Sequence, residues 1–303
     1  MAIDVAALES WEFPVIRQSW TDKDSILYAL SLGYGRDPED PGQLRFVYEK
    51  ALQAVPAMAT TLCHPGFWIS DPRTGIDATR AVHAEHHVVF HRPLAPQGSA
   101  RGQSRVVDVR DRGPGRGAML IFERTLHDEV TGAAIASIEH HTLCRADGGF
   151  AGTAATPPQR SSAPARPPVE NMQDEPPDHV VDIVSLPQAA LIYRLSADRN
   201  PLHVDPDVAR AAGFPRPLLH GLCTYGIACR AIVQACAAND ATRLRSLSVR
   251  FSAPVYPGET LRTEIRHDEA DRPGTQTLRF RCVVQERGTV VISNGRATLG
   301  EPE

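Results

Sequence analysis

The sequence predicts an α+β protein made of two similar halves. Helical patterns in the first 63 residues are followed by four segments of alternating polarity, and this order recurs after residue 179. The stretch FHRPLAPQG (90–98) matches FSAPVYPG (251–258) at the phenylalanine, both prolines and the glycine, with one residue inserted. Each half has too few strands to bury its own apolar face. We therefore expect two antiparallel sheets, each wrapped around a helix, that pair as a pseudo-dimeric tandem repeat.

The first half, residues 1–150, begins with helical patterns. Residues 21–35 have an apolar face and a capping residue at Thr21 or Asp22, and residues 52–63 form a second helical segment. The pattern then changes to a period of two, which is typical of strands. The predicted strands are 84–94, 100–112, 117–128 and 133–145.

Residues 151–178 differ in composition from both halves. Proline, alanine, serine and charged residues dominate this stretch, and no apolar face repeats along it. Such a composition predicts a semi-stiff linker between the two halves.

The second half, residues 179–303, repeats the layout of the first. A strand is predicted at 180–186 and a short helix at 187–195. Residues 217–236 form a long helix that is apolar almost all round, which predicts that it is buried. Four strands follow, at 243–255, 259–269, 275–287 and 289–299.

The candidate site lies between the short and the long helix of the second half. Asp198, Asn200 and His203 fall within six residues. Asp198 and His203 could hold one water between them and supply the base and the acid of a water addition. Asn200 could set the orientation of a partner through hydrogen bonds. Gly221, at the start of the long helix, could offer a free backbone N–H to a developing oxyanion.

Each of these residues also has a purely structural interpretation. Asp198 could cap a turn, Asn200 with Pro201 could form one, and Gly221 could serve close packing. His220 reads as structural rather than catalytic. We favour a site because the acid, the amide and the imidazole occur together, directly before a buried helix.

The motif YRLSADRNPLHVD, followed by PLLHGLCTYG, resembles the signature of the (R)-specific enoyl-CoA hydratase 2, or MaoC-like dehydratase, family. In the first half, ILYALSLGYG, LRFVYE and DGGF are similar to the N-terminal half of its tandem members. The resemblance implies a double hot-dog fold and reversible syn hydration of a trans-2-enoyl-CoA to the (3R)-3-hydroxyacyl-CoA. It also implies that the second half is catalytic, and that the first is non-catalytic and shapes the acyl pocket. Ala197 departs from the motif, where glycine is usual.

The resemblance further implies residues that contact the substrate. His83 and Ala84 fall where the family has a His-Gly pair, and Arg112 falls at a lysine that contacts CoA. Phe251 falls at an aromatic residue that contacts CoA, and Arg199 lies inside the motif as another candidate contact. Ala84 and Arg112 differ from the expected residues, which changes the geometry of both contacts.

Composition excludes several classes of partner. The net charge of −4 argues against a nucleic-acid partner, and no apolar run reaches membrane-spanning length. The six cysteines have no metal or redox spacing, and no targeting segment is evident, so we expect a cytoplasmic protein. His86, His87 and His91 form an HHxxxH run. We expect solvent or interface positions and no metal there, because His86 should point away from the other two and no acid completes a set.

The leading hypothesis is therefore an (R)-specific enoyl-CoA hydratase that needs no cofactor, with the CoA thioester as its substrate. One alternative is a dehydratase of acyl-carrier-protein thioesters, which would need a basic docking surface. A thioesterase and a non-catalytic acyl-CoA-binding subunit are further alternatives. A homodimer of tandem chains is expected by analogy with other symmetric oligomers.

Overall fold

The computed structural model describes residues 3–150, 176–196, 198–268 and 274–301. The predicted linker lies outside the described residues except for its last three positions. Ala197, the departure from the motif, also lies outside them.

Ten strands form one antiparallel sheet in the described part of the chain, in the order β1-β3-β4-β5-β2-β7-β10-β9-β8-β6. The first five strands come from the first half and the last five from the second. Their bounds are β1 Ile16–Trp20, β2 Ala81–Phe90, β3 Gly98–Asp111, β4 Ala118–Asp128, β5 Ala134–Cys144, β6 His179–Val184, β7 Leu244–Phe251, β8 Thr260–His267, β9 Gln276–Val284 and β10 Thr289–Leu299.

The two halves join at the middle of this sheet. β2 pairs antiparallel with β7, from Glu85 opposite Arg250 to Val89 opposite Ser246. These strands end in the repeated sequence at Phe90 and Phe251, so the internal repeat corresponds to matching positions in the sheet. The predicted α+β architecture is confirmed, with the two sheets fused along their central edges.

Six α-helices are described: α1 Val5–Glu9, α2 Asp22–Ser31, α3 Pro41–Leu44, α4 Ala189–Tyr193, α5 Pro206–Ala211 and α6 Gly221–Cys236. α6 is buried without interruption from Cys223 to Val233, as its apolar sequence predicts. A Cβ at Gly226 would lie 2.7 Å from Leu32, so this glycine lets the end of α2 approach the helix closely. None of the described helices is long and apolar enough to cross a membrane.

The structure differs from the sequence predictions at the start of the long helix, in the segment 52–63 and at the first strand. The long helix begins at Gly221 rather than at 217, because the chain before it is tied elsewhere: the Leu219 N–H donates to Val255. The helix predicted at 52–63 is a 3₁₀ helix over Pro56–Thr61. The strand Ile16–Trp20 was not predicted from the sequence, since it is short and its burial follows its position beside β3.

Candidate active site

The loop from 198 to 203 is held by its own side chains. Asp198 Oδ1 accepts a hydrogen bond from the Asn200 N–H at 2.9 Å, and Asn200 Oδ1 accepts one from the Leu202 N–H at 3.0 Å. Pro201 occupies the first position of a 3₁₀ turn, Pro201–His203, where its missing N–H has no cost. The structural roles of Asp198 and Asn200 therefore exist alongside any chemical role.

This loop brings Asp198 and His203 together. Asp198 Oδ2 lies 3.9 Å from His203 Nε2, a separation that one water can bridge with two hydrogen bonds. The Asp198 carboxylate is about half exposed, whereas the His203 ring is only 11% exposed. A water between them is thus reached from the open side and held against a buried imidazole.

The hydrogen bond at the other ring nitrogen fixes the His203 tautomer. Nδ1 lies 3.0 Å from the Leu218 carbonyl oxygen, which can only accept, so Nδ1 carries the proton. Burial lowers the pKa of His203, although Asp198 and the Leu218 carbonyl oppose this effect. The ring is therefore neutral near pH 7, with the Nε2 lone pair facing Asp198.

His220 supports both members of this pair. Its ring stacks on His203 at 3.8 Å between centroids, and its Nε2 donates to the Asp198 carbonyl at 3.0 Å. Burial lowers the pKa of His220 to about 3, so a neutral ring lies against His203. The structural interpretation of His220 fits this geometry, because the residue fixes the position of the other two.

Gly221 places the first turn of α6 beside two residues named from the resemblance. A Cβ at Gly221 would lie 3.6 Å from the Phe251 ring, and Phe251 lies 4.7 Å from the His83 ring. The first N–H groups of a helix have no acceptor within the helix and carry its positive dipole end. Gly221, Phe251 and His83 therefore form one contiguous surface that joins the two halves.

The remaining residues named from the resemblance lie apart or in irregular structure. Ala84 is the extra residue of a β-bulge between His83 and Glu85 in the pairing of β2 with β5. Arg112 and Arg199 are exposed. In the described part of the chain, no hydrogen bond or ion pair joins the side chain of either arginine to Asp198 or His203.

The histidines of β2 correct one sequence interpretation. His86 and His87 are 1% and 8% exposed, so they are not solvent positions; His91 is exposed and bonds to Ser137. The expectation that no acid completes a set near them is wrong, because Glu85 lies within reach of His87 and of His141 on β5. Sequence spacing could not reveal this set, since it needs the register of two strands.

Three groups of side chains in the described residues bring metal-ligating atoms within 4.8 Å of one another. They are His83, His86 and His140; Glu85, His87 and His141; and Asp198, His203 and His220. In the last group, one nitrogen of each histidine is already hydrogen-bonded to a backbone carbonyl. What Asp198 and His203 offer is a pair of proton acceptors beside a helix N-terminus, which suits acid–base chemistry on a bound thioester.

Comparisons with known proteins cover both halves. Residues 18–146 match the MFE-2 hydratase 2 N-terminal domain, and residues 168–288 match the MaoC-like domain. Enoyl-CoA hydratase ChsH3 of Mycobacterium tuberculosis is 38% identical over 274 residues, which are 88% of this chain and 91% of that protein. 3-Hydroxyacyl-thioester dehydratase Y of the same organism is 36% identical over 277 residues, 90% of each chain.

Among solved structures, a MaoC-like dehydratase from Phytophthora capsici aligns with a TM-score of 0.80 and 27% identity. The alignment covers 99% of this chain and all of that one. A distant neighbour with 16% identity and a TM-score of 0.59 is described as a double hot-dog, so the fold that the resemblance implied is confirmed. The chain belongs to the MaoC-like, hydratase 2-type dehydratase family.

Proposed function

We propose that this protein is an (R)-specific 2-enoyl-CoA hydratase, which adds water reversibly to a trans-2-enoyl-CoA and gives the (3R)-3-hydroxyacyl-CoA. The observation that carries the proposal is the 3.9 Å separation of Asp198 Oδ2 and His203 Nε2 beside the start of α6. The named relatives are a hydratase and a dehydratase of acyl thioesters, the two directions of this reaction.

In our proposal the water donates one hydrogen bond to each of the two acceptors. As the water oxygen adds to Cβ, its proton passes to Nε2 of neutral His203, because an imidazole is a stronger base than a carboxylate. Asp198 orients the water and then stabilises the imidazolium. The imidazolium returns the proton to Cα. Both additions occur from the face where the pair lies, which gives syn addition.

The thioester carbonyl needs stabilisation as the enolate develops. We assign this role to the Gly221 N–H at the positive end of α6, since preorganised backbone donors are most effective in such sites. His83 and Phe251 would border the substrate there, with Ala84, Arg112 and Arg199 as weaker candidates. These steps need only groups of this chain, and the CoA thioester is the substrate rather than a cofactor.

The setting of the enzyme belongs to the same proposal. We place it in fatty acyl β-oxidation in the cytoplasm, with the first half shaping the acyl pocket and the chain forming a homodimer. The conjugated thioester chemistry supports the assignment to β-oxidation. Fractionation of source cells and size determination in solution would test the location and the dimer.

The direct test is the loss of conjugated-thioester absorbance with crotonyl-CoA and with a longer trans-2-enoyl-CoA. A dehydrogenase specific for the 3R alcohol then reports the stereochemistry. We expect 3R product from at least one substrate, and a rate lower by roughly 10²–10⁴ with the Asp198→Asn variant. A folded protein that binds these thioesters without turning either over would contradict the proposal.

A carrier-protein dehydratase is the second candidate, favoured by the relative named for a thioester without a stated carrier. The same enoyl group presented on acyl carrier protein distinguishes the two. A kcat/KM for the carrier-protein substrate well above that for the CoA substrate would transfer the assignment.

A further inference from the structure

A cluster of two acids and two histidines lies on the face of the sheet that points away from α6. In the pairing of β2 with β5, Glu85 is opposite His141, and His87 is opposite Glu139. The intervening His86 points the other way and packs against Tyr225 of α6, with ring centroids 5.1 Å apart. We refer to Glu85, His87, Glu139 and His141 as the outer-face cluster.

Three of these side chains converge on one point. Glu85 Oε2 lies 3.3 Å from His87 Nε2 and 3.6 Å from His141 Nδ1. Ligand atoms bound at 2.0–2.2 Å to one ion lie roughly 3–3.6 Å apart in tetrahedral geometry, so small movements would bring all three onto one metal. Two imidazoles and one carboxylate form a familiar ligand set for first-row divalent metals.

The fourth residue has the position of an outer-shell partner. Glu139 Oε1 lies 2.6 Å from His141 Nε2. A carboxylate that accepts the Nε2 proton fixes the tautomer and leaves the Nδ1 lone pair directed towards Glu85. Metal-binding histidines commonly have such a carboxylate on their second nitrogen, which orients the ring and raises its basicity.

Ring geometry separates this cluster from the other two groups that contain histidines. His87 and His141 are tilted by 68°, with centroids 5.0 Å apart, so their lone pairs can converge. His83 and His140 stack at 3.6 Å and 16°, and His203 and His220 at 3.8 Å and 28°. Stacked rings direct their lone pairs side by side, which suits a packing or proton-transfer role better than chelation.

Charge and access also suit a cation. The cluster contains two glutamates, and Arg250 borders it with its Nε 3.4 Å from Glu85 Oε1. The side chains of His87, Glu139 and His141 are each 10% exposed and Glu85 is 23% exposed, so the cluster is shielded but open from the outer surface. We propose that the outer-face cluster binds one divalent transition-metal ion of the Zn²⁺ type, with Glu85, His87 and His141 as ligands and Glu139 as the partner of His141.

Such an ion would connect two neighbouring strands behind the candidate active site. Glu85 follows the bulge at Ala84, and its carbonyl accepts a hydrogen bond from His83 Nε2 at 3.1 Å. An ion held by Glu85 would therefore stabilise the bulge that places His83. Its role is structural, and the acid–base chemistry at Asp198 and His203 does not depend on it.

The test is titration of the chelator-stripped full chain with Zn²⁺, followed by calorimetry, and with Co²⁺, followed by visible absorption. We expect one ion per chain and an increase in Tm on binding. The His87→Ala and His141→Ala variants should lose affinity by about 100-fold or more. Glu139→Gln should lose about 10-fold, the usual effect of removing an outer-shell partner, with unchanged stoichiometry.

Two controls identify the site. His179 and His267 form an exposed pair with Nε2 atoms 3.2 Å apart, which could bind added metal on its own. His267→Ala should leave the high-affinity ion in place. Arg250→Gln should tighten binding, because it removes a competing cation, whereas a plain ion-pair network would only be weakened by this change.

The outcomes decide the proposal without reference to catalysis. Absence of a bound ion in the folded parent chain, or loss of binding with His267→Ala but not with His87→Ala, would overturn it. If His87→Ala fails to fold, His87→Gln gives the same comparison with a side chain of similar size.

Discussion

The two halves of the molecule share a sheet design but differ in what lies against it. Before β7, the second half has α6, a helix of 16 residues that lies against the sheet. Between α3 and β2, the first half has only short 3₁₀ turns, the longest being Pro56–Thr61. The same strand order is thus preceded by a long helix in one half and by a short 3₁₀ segment in the other.

The loop after α2 in the first half and the loop after α4 in the second half also differ. Leu195-Ser196 precedes Asp198 and Asn200, whereas Leu30-Ser31 precedes Gly33 and Gly35 at the matching spacing. Gly33 has φ +81° and Gly35 has φ +75°, so the first-half loop uses a left-handed backbone that suits glycine. The two loops therefore differ in backbone conformation as well as in the residues at these positions.

The inner faces of the halves also carry different side chains. In the first half, His83, His86 and His140 lie together, and burial lowers the pKa of each. In the second half, α6 places its N-terminus against Phe251, next to this group. In the proposed function, one copy supplies the acid–base pair and the other supplies part of the wall, although both copies keep the same strand order.

The sharpest test of this division is a matched pair of acid-to-amide changes. Asp198→Asn should lower kcat by roughly 10²–10⁴, the usual contribution of a general acid–base group. Asp37→Asn, in the matching loop of the first half, should change kcat by less than about twofold, because Asp37 only caps the Glu39 N–H. Steady-state rates with crotonyl-CoA measure both, and equal losses would remove the distinction between the halves.

The start of α6 provides the next test. Gly221→Ala leaves the fold intact, since its Cβ would meet Phe251 at an ordinary contact distance of 3.6 Å. The methyl group would nevertheless displace a thioester from the N–H. A shift of about 1 Å can cost on the order of 10²-fold in rate. We expect kcat/KM to fall by that amount with Tm unchanged. A rate equal to that of the parent would show that Gly221 serves packing alone.

The sequence predicted most of the fold, because the information lies in local patterns. The eight strands that follow the two helical regions were predicted from period-two alternation and from the repeat, and α6 was predicted from its continuous apolar surface. β1 and the 3₁₀ helix at Pro56–Thr61 were not, since their conformations depend on neighbours distant in sequence. The start of α6 was placed four residues early because the Leu219 hydrogen bond to Val255 is also a tertiary feature.

The candidate site was predictable where its residues are close in sequence. Asp198, Asn200 and His203 form a local motif, and Gly221 was named from its place at the start of the apolar helix. His83 and Phe251 were named from the resemblance. The outer-face cluster was not predictable, since Glu85 and His141 meet only through the register of β2 and β5. The stacking of His220 on His203 was missed for the same reason. The position of His220 directly before Gly221 was a signal that could have suggested a place for His220 in the site.

Buried arginines offer a comparison of stability between the halves. Arg230 donates to the Leu32 carbonyl at 2.9 Å and lies 4.5 Å above the Tyr34 ring, whereas Arg124 donates to the Thr60 carbonyl. The Nε of each arginine is buried without a hydrogen bond. Burial lowers the pKa of Arg124 to about 10, so keeping it charged costs on the order of 3 kcal/mol at pH 7.

We therefore expect opposite signs for two matched substitutions. Arg230→Met should lower the free energy of unfolding by about 2 kcal/mol, because it leaves buried acceptors unpaired. Arg124→Met should be neutral or stabilising by about 1 kcal/mol, since it removes a desolvated charge. Urea unfolding of both variants measures the two values. A loss with Arg124→Met as large as that with Arg230→Met would indicate that the hydrogen bond to Thr60 outweighs the desolvation of the Arg124 charge.

The smallest effect concerns the acidic limb of the pH profile. The proposed mechanism needs neutral His203, and burial places its pKa below the ordinary value of 6.5. Activity should therefore fall about tenfold per unit only once the pH passes below the lowered pKa of His203. Asp198 opposes this lowering, so the residual activity of Asp198→Asn should have its acidic limb at still lower pH. A limb at or above pH 6.5 in kcat/KM would mean that the essential base is not the buried His203.

The control is a variant of the first-half histidines, because it leaves His203 in place. His140→Phe should keep the acidic limb of the parent protein even if it changes KM. A shift of the limb in that variant would assign the essential base to the first half.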